Sequence, residues 1–163
     1  PPPGAIRTAD GAVVGRHRGL PYYTLGQRHG LGIGGVAERT ADAWYVVAKR
    51  SPQNELIVAQ GHDHPLLFTD RLRAAGMHFV NDPPRGWLDG DPFRCHAKTR
   101  YRQPDEACTV IRVAADAAEI RFERPQRAVT PGQYVVLYDG ERCLGGATID
   151  AATTTDRELA AAV

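Results

Sequence analysis

Apolar residues in this chain alternate with polar ones over short runs, and most runs close on a turn signal. Trp44–Lys49 (WYVVAK) and Glu55–Gln60 (ELIVAQ) flank the turn cluster Ser51-Pro52-Gln53-Asn54. β-Branched and aromatic residues around such a cluster predict a hairpin over residues 44–60. Ile6 to Gly15 predicts another hairpin, in which Asp10-Gly11 supplies the positive φ angles of a two-residue type I′ turn. Thr24–Gly30 (TLGQRHG) reads as one short helical stretch capped by Thr24, with Gly26 as its weak point. Gly30, Gly32, Gly34 and Gly35 then form a glycine-rich loop, and His62-Asp63-His64-Pro65 breaks the strand pattern. These breaks set a domain boundary near residue 66.

Beyond it the alternating runs are Arg71–Val80, Phe93–Tyr101, Ala107–Val113, Glu119–Phe122, Gln133–Tyr138 and Arg142–Ile149. Asp139-Gly140 is a second Asp-Gly turn signal. Six short strands without a helix predict a small closed barrel. The expected fold class is therefore mainly β: a small β-rich domain over 1–66, a six-stranded antiparallel β-barrel over 67–150, and a tail over 151–163 (AATTTDRELAAAV).

Composition supports this. Seventeen Gly and twelve Pro among 163 residues argue against a helical bundle. No apolar run approaches the ~18 residues of a membrane-spanning helix. The chain opens on Pro1, Pro2 and Pro3, with neither Met nor a secretory pattern, so a piece of a longer protein is expected. Cys95, Cys108 and Cys143 are odd in number and form no Cys-x-x-Cys, which points to free thiols in a reducing, cytoplasmic setting.

The net charge of +1 gives no global sign of a polyanion partner. Local balance does. Arg94 to Arg102 holds Arg94, Lys98, Arg100 and Arg102 with no acid, and Arg16 to Arg28 holds Arg16, Arg18 and Arg28 with none. Such windows suit phosphate contacts. In KTRYRQ (Lys98–Gln103), strand alternation would aim Lys98, Arg100 and Arg102 one way and Thr99, Tyr101 and Gln103 the other. Arg can grip a phosphate with two parallel hydrogen bonds, and Tyr can stack on an unpaired base. Thr130-Pro131-Gly132-Gln133 has the residues of a type II turn, placing Gln133 at a strand mouth where its amide suits a base edge or a ribose hydroxyl.

Other chemistry has weaker support. His62-Asp63-His64 supplies too few ligands for a metal, and no second His/Cys cluster completes it. Cys95 lies beside basic residues but in mid-strand, where Cys is usually a small buried hydrophobe. The glycine loop lacks the strand-to-helix setting of a phosphate-binding motif.

Six segments in order carry a resemblance: GLPYYTLGQRHGLGIGG (Gly19–Gly35), WYVV (Trp44–Val47), AQGHDHPLL (Ala59–Leu67), CHAKTRYRQ (Cys95–Gln103), AVTPGQ (Ala128–Gln133) and GERCLGGATI (Gly140–Ile149). They resemble the tRNA-specific 2-thiouridylases (MnmA or TrmU), whose older label is tRNA methyltransferase. The resemblance runs from about Pro3 to Ile149 and covers the family's central and C-terminal domains.

It implies a parent enzyme, a tRNA-uridine 2-sulfurtransferase. That enzyme activates the wobble uridine with ATP and magnesium in an N-terminal domain, then delivers persulfide sulfur from one of its own cysteines, with a sulfur-donor protein as partner. The central domain and barrel hold the tRNA anticodon arm. Arg100, Tyr101 and Gln133 resemble tRNA-contacting positions, with Lys98 and Arg102 as flanking cations. Within these residues stand no Ser-Gly-Gly loop and no cysteine matching the catalytic pair, so no catalytic residue, no cofactor and no thiolation by this piece alone are expected. Ala147 departs from the family's third glycine after Cys-Leu. The rival expectation is a non-catalytic β-barrel protein-interaction module, which a salt-dependent RNA-binding assay separates.

Overall fold

The structure, a computed structural model, describes residues 1–34 and 42–153. Gly35 of the glycine loop and residues 154–163 of the expected tail lie outside the described residues. The chain divides after Phe68 into two compact units.

The first unit is a four-stranded sheet in the order β2-β1-β4-β3, with β1 at Gly4–Thr8, β2 at Val13–His17, β3 at Trp44–Arg50 and β4 at Glu55–Gln60. β1 pairs antiparallel with β2 and parallel with β4, while β3 and β4 form the expected hairpin. Period-2 alternation sorts its apolar residues. Val46, Leu56 and Val58 pack with Ile6, Tyr23 and Leu31, whereas Tyr45, Val47, Ile57 and Ala59 pack with Leu67.

Two local expectations are corrected here. The β1–β2 turn is not type I′, because only Gly11 (φ 94°) takes a positive φ and Asp10 does not. Gly11 N donates to Thr8 O and Thr8 N to Ala12 O, both at 2.9 Å, the pattern of a type I turn followed by a glycine bulge. Thr24–Gly30 is not helical either. Gln27 N donates to Thr24 O (3.0 Å) across Gly26 (φ 81°), a type II-like turn. Gly26 N and Gln27 O bond Val46 at 2.8 and 3.0 Å, so β3 claims the backbone groups a helix would have used. Among the described residues nearby, the helical turn is the 3₁₀ segment Leu20–Tyr22.

The second unit is a closed barrel in the order β10-β5-β8-β7-β6-β9. Its strands are β5 (Phe68–Phe79), β6 (Phe93–Lys98), β7 (Glu106–Ala114), β8 (Ala117–Arg127), β9 (Tyr134–Asp139) and β10 (Arg142–Thr153). Leu72, Val110, Ile120, Leu137 and Ile149, each at most 1% exposed, fill the interior. β8 outruns its expected span of Glu119–Phe122. β10 continues past Ile149, with Ala151 and Ala152 pairing with Arg73 and Leu72, so the barrel takes residues assigned to the tail.

The sequence reading also missed a helix, α1 (Arg85–Asp89). Pro84 precedes it, Gly90 (φ 77°) ends it in the left-handed conformation, and Trp87 is buried 5.4 Å from the Phe79 ring. The β9–β10 turn is two residues long between paired Asp139 and Arg142, and only Gly140 (φ 58°) is positive, which fits a type II′ turn.

Candidate nucleic-acid interface

β6 ends at Lys98, three residues short of the strand expected through Tyr101. Residues 99–103 form a bend and turn at the barrel rim before β7 begins at Glu106. Alternation therefore fails as a guide to where Thr99–Gln103 point. Thr99 is 4% exposed, while Tyr101, the would-be opposite-face partner of the cations, is 92% exposed.

The other half of this rim comes from the connection between β8 and β9. Arg100 Nη2 donates to Ala128 O at 3.2 Å. Thr130 Oγ1 donates to the same carbonyl at 2.9 Å. Ala128 holds a positive φ of 52°, unusual outside glycine, which turns the chain at the strand end. Gln133 N then donates to Thr130 O at 3.2 Å across Gly132 (φ 90°), the type II turn that Pro131-Gly132 encodes. Gly132 N and Ile149 N tie this turn to β10, at 2.8 Å each. Below it, Gln103 Nε2 donates to Gln126 Oε1 (3.4 Å) and Gln126 Nε2 to Arg124 O (2.8 Å).

A continuous run of hydrogen bonds thus joins Arg100 to Gln133, with Tyr101 projecting beside Arg100. Gln133 and Arg102 are exposed. Lys98 sits one residue before the rim on the outer wall, its Nζ 5.1 Å from the centre of the Tyr138 ring. Burial, then the neighbouring Arg127, push the Arg100 guanidinium below its usual pKa. Two guanidinium groups close together at a rim make a positive potential suited to an anion. Ala128 and Thr130 had no signal as scaffold residues beyond their place in AVTPGQ.

Cys95, Cys108 and the His62-Asp63-His64 segment have structural roles. Cys95 and Cys108 face each other in register on β6 and β7, both buried, with a thiol–thiol hydrogen bond of 3.7 Å between their Sγ atoms and no disulfide. The contact with Cys95 and burial push the Cys108 thiol far up. His62 Nδ1 lies 2.8 Å from Asp63 Oδ1, and His64 Nδ1 accepts from Leu66 N at 3.1 Å to cap the 3₁₀ turn Pro65–Leu67. No group of three or more His, Cys, Asp or Glu that could hold a metal stands among the described residues. Among the described residues, no helix is long and apolar enough to cross a membrane.

Comparison with known proteins places both units. Residues 1–60 match the tRNA methyl transferase PRC-barrel domain, and residues 69–149 match the aminomethyltransferase beta-barrel domain. The tRNA-specific 2-thiouridylase MnmA of Methylococcus capsulatus is 51% identical over 160 residues, covering 98% of this chain and 43% of that protein. The protein of that name from Klebsiella pneumoniae subsp. pneumoniae is 55% identical over 148 residues, covering 91% of this chain and 39% of the relative. That of Psychrobacter sp. is 51% identical over 151 residues, covering 91% and 38%. The chain spans about two fifths of the length of these relatives. Across that span, the chain belongs to the tRNA-specific 2-thiouridylase family.

Proposed function

We propose that this chain is the tRNA-holding portion of a tRNA-uridine 2-sulfurtransferase, and that its barrel rim grips the anticodon arm. The observation that carries the reading is the hydrogen-bonded rim joining Arg100 to Gln133, with Tyr101 fully in solvent beside it. Arg100 spends one donor on Ala128 O, which fixes the planar guanidinium and leaves its other donors for a phosphate. Lys98 and Arg102 add charge on either side. A tyrosine held 92% exposed gains almost nothing for stability and offers a full ring face to an unpaired base. Gln133 can read a base edge or a ribose hydroxyl. The first unit serves as the central tRNA-binding domain.

Thiolation itself would occur elsewhere in the protein. The described residues contain no strand–glycine loop–helix unit of the kind that cradles ATP phosphates, and their single α-helix is five residues long. An N-terminal ATP-binding domain would activate the wobble uridine, and a sulfur-donor protein would supply persulfide sulfur. Three unbridged cysteines suit the reducing cytoplasm where that chemistry runs.

The test is RNA affinity across a salt series. Arg100→Ala should weaken binding and flatten the slope of log K against log salt by roughly one unit, one phosphate contact's share. Unchanged affinity after substitution of Arg100, Tyr101 and Gln133 together would refute the reading and favour a protein-interaction module.

A further inference from the structure

Four strands of the barrel wall share one transverse row: Lys98 of β6 pairs with Val136 of β9, Val136 with Gly146 of β10, and Gly146 with His78 of β5. Inward residues alternate with these, since Ala97, Val135, Leu137 and Ala147 are all fully buried. The row therefore lies on the outer wall. Next to it runs a second row, Tyr134–Thr148–Ala75, and on the other side His96 pairs with Tyr138. None of these positions is a carboxylate.

Gly146 gives the wall a bare place. A Cβ there would sit 2.8 Å from the Val135 carbonyl oxygen and 3.5 Å from Cδ1 of Tyr134, so the edge of the tyrosine ring packs against the glycine. The ring meets His78 edge to face, with centroids 6.2 Å apart at 69°. Tyr134 nevertheless remains 54% exposed, so one side of a braced aromatic ring is left to solvent. It follows Gln133 directly in the chain and lies on the wall that carries Lys98.

We propose that Tyr134, braced by His78 against Gly146, is a stacking shelf for an unpaired base of the bound RNA. Lys98 stands across the same wall for the adjoining phosphate. The inference rests on the proposed function and extends the contact surface from the rim down the wall between β6 and β5. RNA is the occupant because the same wall carries an exposed aromatic and a cation, with no carboxylate in the rows named above, and is continuous with the rim through Gln133. An aromatic ring accepts any base, so the shelf would position the strand rather than select its sequence.

The test uses the full-length protein carrying these residues and a fluorescent anticodon stem-loop RNA with uridine at the wobble position, read by anisotropy at several KCl concentrations. Tyr134→Ala should weaken binding about 5- to 150-fold, the range for losing one base–aromatic stack, without changing the salt slope. Tyr134→Phe should bind as the parent does. Tyr134→Leu keeps an apolar side chain against Gly146 but removes the ring, so it should bind as poorly as Tyr134→Ala even if Tyr134→Ala loses stability. Lys98→Ala should flatten the slope by about one unit. Parent-like binding by Tyr134→Leu, with Arg100→Ala and Lys98→Ala both weakened, overturns the shelf and leaves the rim standing. Weakened binding by Tyr134→Leu, with Arg100, Tyr101 and Gln133 variants unaffected, supports the shelf and overturns the rim.

Discussion

Tyr101→Ala separates packing from recognition more cleanly than any other substitution in this chain. Tyr101 is 92% exposed, so folding covers about a twelfth of its surface. A large aromatic side chain has ~200 Å² to bury, and at ~25 cal/mol/Å² the covered part stabilises the barrel by only about 0.4 kcal/mol. For a domain of this size that shifts the melting temperature by about 3 °C at most. If the ring stacks on an unpaired base, the same change costs about 1–3 kcal/mol of RNA binding. Trp87→Ala is the internal control: Trp87 is 5% exposed and packs on Phe79, so its loss should cost about 3–5 kcal/mol of stability. The assay pairs thermal melting with RNA affinity for each variant. A fall in melting temperature of more than about 10 °C for Tyr101→Ala would mean the ring is core. Unchanged melting together with unchanged affinity would mean that its exposure has no role in binding.

Thiol titration of the native protein with a disulfide reagent should find one fast-reacting cysteine, Cys143, because Cys95 and Cys108 are buried and the Cys108 thiolate is strongly disfavoured. Rapid labelling of Cys108 at neutral pH, without denaturant, would contradict its placement. Gly145→Ala should destabilise the barrel by about 3 kcal/mol or more, equivalent to two or three ladder hydrogen bonds. Gly145 has φ 155°, and a Cβ there would fall on the His78 carbonyl oxygen and 2.8 Å from Phe79 Cα, so β5 and β10 must part to admit it. An urea midpoint unchanged from the parent would refute that.

The strands were legible because their information is local. WYVVAK and ELIVAQ alternate, carry branched and aromatic side chains, and flank a turn cluster, and they became β3 and β4. Turn types were less legible. Asp10-Gly11 marks the hairpin correctly, but its turn type depends on how β1 and β2 pair, and a bulge left Asp10 at an ordinary φ. Thr24–Gly30 has a plausible cap and a helix-compatible length. Its conformation was decided by β3, whose Val46 bonds Gly26 and Gln27. The missed helix α1 is the opposite case, since Pro84 and Gly90 were local signals at its two ends.

The rim was legible as a list of residues and illegible as an arrangement. KTRYRQ is compatible with a strand along its whole length, so alternation alone assigns Tyr101 to the face opposite Arg100. What ends β6 is the extent of its partners. Its pairing with β9 stops at Lys98–Val136, and its pairing with β7 stops at Ala97–Glu106. Past the last paired residue, backbone groups need new partners and side chains are freed from the pleat. Arg100 then turns to the Ala128 carbonyl while Tyr101 swings into water, although they are sequence neighbours. The partner carbonyl is available only because Ala128 takes a left-handed conformation at the end of β8. Nothing near residue 100 encodes that condition. Ala128→Pro should therefore be the most informative remote change, because proline cannot adopt a φ of 52°. Redirecting that carbonyl would release Arg100 without touching its side chain, so RNA affinity should fall to the level of Arg100→Ala. Lost affinity in a variant whose barrel still melts cooperatively would show that the rim acts through its backbone. Retained affinity would show that Arg100 reaches RNA without this support.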